Sequence, residues 1–370
     1  MRRHRTFVLA LVGILFLLLA TGSAWAKGPP AGKGQKVDHT ARQERPILLG
    51  VSGGSVTDLA NGYCCSGTLG ALVQDQSGIQ YILSNTHVFA GDMVSGGNGL
   101  VSDLGDPINQ PGYVDVRCAD IPADYVAALS DWIPLEIGGY STVDAATAEV
   151  IPGTVDPEGK ILEIGAISAD TVSAFLDQPV KKSGRTSGLT KGKVAGLDAT
   201  VTVQYTDECA GESFLTVFTG QILVTPGKFL KAGDSGSLMV EGVEANPRAV
   251  GLLYAGSNRV AVANPINDVL AALGVTMVGT AASAATSGPT QGLPEEALLR
   301  ASQAKARHAD RLMQVPESVG HALGAASGRP GQIAIKVLVE KANAAAESAC
   351  PREIDGVPVE IWEVGKVVAY

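Results

Sequence analysis

Hydrophobic positions recur along this chain in short runs, each cut off by glycine, aspartate or proline. Between Ile47 and about Val150 such runs fall at 67–73, 79–83 and 144–150. Runs of this length bounded by turn formers predict strands, and a series of them predicts a barrel. A second series extends from Lys160 to about Gly274, with runs at 192–197, 200–205, 214–219, 221–224, 237–240, 249–254 and 260–264. Residues 200–205 alternate strictly, as a strand buried on one face must. Two stretches break the pattern. At 122–129, Tyr125, Val126, Ala128 and Leu129 predict a short helix or a loop over the cleft. At 265–273, Ile266, Val269, Leu270 and Leu273 keep the spacing i, i+3, i+4, i+7 of an amphipathic helix.

The texture changes after the second series. Residues 279–293 are Thr, Ala, Ser and Gly in the main and read as a linker. Beyond them, Pro294-Glu295-Glu296 opens a helix with proline in the first turn and acids at its positive end, running to about Met313. At 332–340, Ile333, Ile335, Val337 and Val339 alternate with Lys336 and Glu340, and 354–361 adds a turn and another strand. Residues 294–370 therefore predict a small α+β module, with His308 and His321 at solvated helix or loop positions. No internal repeat relates it to the strand series.

Composition sharpens the picture at three points. The chain has 370 residues, of which 45 are Gly and 19 Pro, the many tight turns that all-β folds require. Aromatics are only 5%, so Val, Ile, Leu and Ala must fill the cores. The N-terminus reads as an export signal over 1–26: Arg2, Arg3 and Arg5, an apolar stretch at 7–20, and Ala24-Trp25-Ala26 for cleavage. That stretch is shorter than the roughly 20 residues a spanning helix needs. Residues 27–45 then form a polar, flexible lead-in.

Net charge is −9, and −12 once the leader arginines are removed, which disfavours a nucleic-acid partner. Outside the cytoplasm, at least one disulfide is expected among Cys64, Cys65, Cys118, Cys209 and Cys350. The odd count leaves a free thiol or an unusual adjacent pair, and Cys65–Cys118 is the bridge expected to tie the first barrel together. No His lies close to a Cys in sequence, so no metal site is expected.

The candidate chemistry centres on Lys231-Ala232-Gly233-Asp234-Ser235-Gly236-Ser237, a serine in a glycine-flanked turn ahead of an apolar strand. A hydroxyl is a weak nucleophile and needs a base beside it and N–H donors aimed at the developing oxyanion. Gly233 frees the backbone so that the amides of Gly233 and Ser235 converge as an oxyanion hole. His87 is the candidate base, because it alone of the histidines closes a strand-like run, at 81–90. Asp144, at the head of a run of small and β-branched residues, is the candidate orienting acid. Asp115, Asp120, Asp124 and Asp131 compete with it, and Asp234 reads as structural pairing within the turn.

These residues resemble the trypsin-like serine peptidases in type and order. The stretches are Cys65-Ser66-Gly67-Thr68-Leu69, Asn85-Thr86-His87-Val88, Val143-Asp144-Ala145-Ala146 and Gly233-Asp234-Ser235-Gly236-Ser237. With Lys182-Ser183-Gly184-Arg185-Thr186-Ser187-Gly188 ahead of the serine, the chain looks closer to the bacterial secreted branch related to the plant narrow-leaf peptidases. The resemblance implies a mainly β fold over 46–278, two six-stranded barrels with the site between them, followed by the α+β module. It implies a secreted serine endopeptidase acting on protein or peptide substrates, with His87, Asp144 and Ser235 as base, acid and nucleophile and no cofactor. One departure is that Val88-Phe89-Ala90, not a cysteine, follows the histidine.

By the same resemblance, Phe229 lies at the base of the specificity pocket and Leu253, Tyr254 and Ala255 form its opposite wall. The absence of an acid there implies preference for a small or medium apolar side chain, or a pocket closed by Phe229. Phe229 as ordinary barrel core is an equal reading. Two other functions stay open: an idle binding module on the same barrels, and a peptidase inhibited or processed through its own C-terminal module.

Overall fold

In the computed structural model, residues 37–58, 64–91, 101–281 and 295–370 are described, and all but one strand of the first sheet lie between residues 51 and 150. The expected leader, the first part of the lead-in and most of the linker lie outside these residues. The first sheet runs in the order Thr276–Met277, Ala71–Gln74, Gln80–Ser84, Ala146–Val150, Tyr125–Trp132, Pro107–Asn109, Val51–Ser55, Gly67–Leu69. Gly67–Leu69 and Ala71–Gln74 are two halves of one stretch bent at Gly70, so the two ends of the sheet meet and it curls into a barrel. Its core holds Leu69, Leu72, Ile82, Leu83, Leu129 and Ala148, and the helix Ile266–Leu273 seals it with Ile266, Val269 and Leu273.

The second barrel closes through hydrogen bonds. Thr190–Tyr205 pairs with Pro179–Lys182, which pairs with Leu238–Glu241, then Ala249–Gly256, Ala261–Pro265 and Phe214–Thr225, which returns to Thr190–Tyr205. The runs at 192–197 and 200–205 fuse into one strand, as do 214–219 and 221–224. Register shifts between Val194 and Val201 explain why the sequence shows two runs: bulges break the alternation without ending the strand. They also bend the hairpin, so that its inner half belongs to the barrel and its outer half carries Tyr205 toward the first barrel. The fold is mainly β, two barrels side by side, as expected.

Several expectations are corrected. Residues 122–129 are not a helix or loop: after a single turn at Pro122–Asp124, Tyr125–Trp132 is a strand paired on both edges. Pairing on two sides overrides the helix preference of its Ala and Leu residues. The lead-in is laid down from Asp38 onward. Ile47 and Leu49 are buried and bridge to Val155 and Ile161, and the buried His39 bonds the Gly50 carbonyl and Glu163.

The disulfides are Cys64–Cys118 and Cys65–Cys209, not Cys65–Cys118, and Cys350 is free. The adjacent pair thus staples in two directions, one within the first barrel and one to the outer end of the second barrel's hairpin.

Downstream, the helices Glu295–Arg307 and Ala309–Met313 cover the strands Ser318–Ala325, Ile333–Val339 and Val357–Glu363. Ser318–Ala325 pairs with Thr190–Tyr205, so this module continues the second sheet edge to edge, and Asp38–Tyr370 forms one compact unit. His321 is not solvated: it is buried on the strand facing Lys305 and Asp198. A two-residue strand, Val368–Ala369, ends the described chain between Thr190–Tyr205 and Ala249–Gly256.

Candidate active site

Ser235 sits in a turn whose shape is forced by contacts from both barrels. Gly233 and Gly236 have φ of +90° and +88°, a left-handed backbone that L side chains resist. Thr68 of the first barrel clasps the turn, its N–H donating to the Ser235 carbonyl (2.8 Å) and its hydroxyl to the Gly233 carbonyl (3.0 Å). Gly70 lets the chains approach this closely, since a Cβ there would lie 1.9 Å from the Gly236 carbonyl oxygen. Among the described residues, the N–H groups of Gly233 and Ser235 have no acceptor.

Beneath the turn is a buried ion pair. Lys182 Nζ lies 2.9 Å from Asp234 Oδ2, with neither side chain exposed. The ammonium also donates to Ser187 Oγ (2.6 Å) and the Gly188 carbonyl (3.1 Å). Asp234 accepts further bonds from the Thr186, Ser187 and Lys231 N–H groups and from the Ser187 hydroxyl. Burial pulls the Lys182 ammonium below the ordinary lysine range, opposed by the Asp234 charge. Asp234 is thus paired beyond its own turn, to the Lys182–Gly188 segment. Beside Gly233, Arg185 forms a bidentate pair with Asp115 at 2.7 Å.

His87 lies on a one-turn helix, Thr86–Phe89, immediately after the strand Gln80–Ser84. Its Nδ1 donates to Asp144 Oδ2 at 2.5 Å, and its backbone N–H reaches Asp144 Oδ1 at 3.3 Å. Asp144 is fully buried. Its carbonyl is held by Asn85 and Asn264, and the Tyr205 hydroxyl donates to Oδ2 at 2.8 Å. The Tyr205 ring meets the imidazole edge-on with centroids 5.7 Å apart and stacks on Phe214. Burial works against the charged imidazolium, but the Asp144 charge, its hydrogen bond and the Tyr370 carbonyl prevail, so the His87 pKa is raised.

Ser235 Oγ donates to the Tyr254 carbonyl (3.0 Å), and His87 Nε2 bonds the Tyr370 carbonyl (3.2 Å). Tyr370 N–H shares the Tyr254 acceptor (3.3 Å), so this one residue bonds both the imidazole and the carbonyl that the hydroxyl engages. All four expected pocket residues are buried in the second barrel: Phe229 and Leu253 in one cluster, Tyr254 and Ala255 in another, with the backbone of the latter two meeting Tyr370 and Ala369. Asp120 and Asp131 stand apart from His87, Asp120 bonding Tyr125, and Asp115 and Asp124 pair with Arg185 and Arg42.

Sequence reasoning passed over Lys182, Tyr205, Asn264 and Tyr370 as parts of the site. Lys182 heads a motif already noticed, and a lysine there could have been matched to Asp234. The other three reach the site through long-range pairing that leaves no local mark.

A family model described as the Nal1 C-terminal domain matches residues 126–264. None of the curated proteins compared matches the chain. Among solved structures, a glutamic-acid-specific serine protease that uses a histidine triad in substrate binding is 19% identical, with TM-score 0.40 over 62% of this chain and 100% of its own. Protease A of Thermobifida fusca is 16% identical, with TM-score 0.41 over 63% and 99%. The chymotrypsin of Cellulomonas bogoriensis is 17% identical, with TM-score 0.38 over 63% and 99%. At such scores the likeness adds nothing to the site geometry. By the pairing of its own strands, the chain has a mainly β, two-barrel fold.

Proposed function

We propose that this chain is an exported serine endopeptidase that cleaves peptide bonds through an acyl-enzyme. Ser235 Oγ turns from the Tyr254 carbonyl toward His87 Nε2 and attacks the substrate carbonyl while the imidazole takes its proton. Asp144, held by Tyr205, Asn85 and Asn264, keeps the proton on Nδ1 and stabilises the imidazolium. The N–H groups of Gly233 and Ser235 receive the oxyanion. His87 then protonates the leaving amine, and water releases the acyl group. The observation that carries the reading is the buried His87–Asp144 pair linked to Ser235 through Tyr370, whose carbonyl bonds His87 Nε2 and whose N–H shares the Tyr254 carbonyl with Ser235 Oγ.

Phe229 and Leu253 are core residues, and no acid stands at the expected base of the pocket, so cleavage after Arg or Lys is disfavoured. Two disulfides fit an oxidising compartment outside the cytoplasm. The test is hydrolysis of a peptide library by the intact chain and by one ending before Lys366. Turnover should be lost in Ser235→Ala and His87→Ala. A Ser235→Ala protein that cleaves at the parental rate refutes the assignment, and absence of cleavage in every form favours an idle binding module.

A further inference from the structure

The strand Val368–Ala369 is laid into the cleft as a guest would be. It runs antiparallel to Ala249–Gly256, with Ala369 opposite Ala255 and Val368 opposite Gly256, and parallel to Thr190–Tyr205, with Val368 opposite Gln204. Main-chain bonds hold it at both ends: Gln204 N–H to the Val367 carbonyl (3.1 Å) and Tyr370 N–H to the Tyr254 carbonyl (3.3 Å). The Tyr370 side chain packs on the cluster that contains Phe229 and Leu253. Gly256 gives the ring its room, since a Cβ there would lie 3.2 Å from Tyr370 Cε2.

Just upstream the segment is anchored. Val364 and Val367 are buried, Ser257 Oγ donates to the Val364 carbonyl, and Arg259 pairs with Glu363. The pairing could stabilise the fold and do no more. Two contacts go beyond that role, because they engage the groups the chemistry requires. The Tyr370 carbonyl takes the His87 Nε2 bond, and its N–H shares the acceptor on which Ser235 Oγ rests.

We propose that residues 366–370 are an intramolecular occupant of the acyl side of the cleft, bound in substrate register, so that the intact chain is self-inhibited until this strand is displaced. The proposal rests on the peptidase reading and adds to it the ligand class. The cleft takes an extended peptide in which small or β-branched residues precede an aromatic one, seated where Tyr370 sits. A tethered strand competes at an effective concentration of around millimolar, enough to exclude dilute substrates.

The experiment measures the rate at which a fluorophosphonate probe labels Ser235. Three proteins are compared: the 370-residue chain, a chain ending at Gly365, and the 370-residue chain carrying Tyr370→Gly, which keeps the anchored backbone if the shortened chain misfolds. Labelling should rise about tenfold or more in the shortened chain and by a smaller factor in Tyr370→Gly. Added peptide Val-Val-Ala-Tyr should slow the shortened chain again, while Tyr-Ala-Val-Val should not. Equal rates in all three proteins overturn self-inhibition and leave the peptidase reading standing. If no form labels, the peptidase reading fails instead, and anisotropy of fluorescent Val-Val-Ala-Tyr on the shortened chain decides the seat. Binding there upholds the seat, and absence of binding overturns it.

Discussion

Replacing Lys182 by methionine keeps the length of the side chain and removes its charge, leaving Asp234 buried without its counter-ion. Breaking a fully buried pair by removing one partner costs about 3–5 kcal/mol, because the remaining charge is uncompensated. Asp234 keeps three N–H donors and the Ser187 hydroxyl, so the lower end applies, about 3 kcal/mol. In a chain of this size that corresponds to a fall in Tm of roughly 4 °C.

The turn should suffer more than the fold. Asp234 adjoins Ser235, and a displacement of about 1 Å at a reacting group costs on the order of 100-fold in rate. Thermal unfolding and fluorophosphonate labelling of Lys182→Met measure the two effects separately. Adding Asp234→Asn should recover stability, because no buried charge is then left unpaired, without recovering labelling. If Lys182→Met unfolds within 1 °C of the parent and labels at the parental rate, the ion pair does not shape the turn.

Three other outcomes follow from the geometry. Gly70→Ala sets a Cβ against the backbone oxygen of Gly236 and should cut labelling by about 100-fold or more while leaving both barrels folded by circular dichroism. Tyr205→Phe removes a hydrogen bond to the Asp144 carboxylate, costing about 1.5–3 kcal/mol, and should raise the His87 pKa further, measured by NMR of the ring protons, because the carboxylate is then shared less. His321 is pushed down to about 4 from 6.5 by burial and the nearby Lys305, opposed by Asp198. The unfolded chain therefore binds the extra proton first, and stability should fall as pH drops from about 6.5 toward about 4, by up to about 3 kcal/mol. In His321→Leu that part of the loss should vanish from the Tm–pH curve; an unchanged curve contradicts the assignment.

What the sequence made legible was local. The glycines around Ser235 and the strand that leads into the His87 turn both mark themselves by spacing, and the alternation of 200–205 ends on the side chain that bonds Asp144. Non-local pairing was hidden. Tyr125–Trp132 read as a helix or loop because Ala and Leu carry no strand signal until neighbours flank them on both edges. Adjacent Cys64 and Cys65 could not be matched to partners, since only the curl of the barrel separates Cys118 from Cys209. Tyr370 was invisible as a site residue, because nothing in Val367-Val368-Ala369-Tyr370 tells that the strand returns to the cleft where His87 lies.

The central claim is that Ser235 is a nucleophile made reactive by His87. Mass-spectrometric mapping of fluorophosphonate on the chain ending at Gly365 tests it most directly. The account predicts one modified residue, Ser235, with labelling abolished in His87→Ala. Modification elsewhere, or at Ser235 with equal speed when His87 is absent, would contradict it.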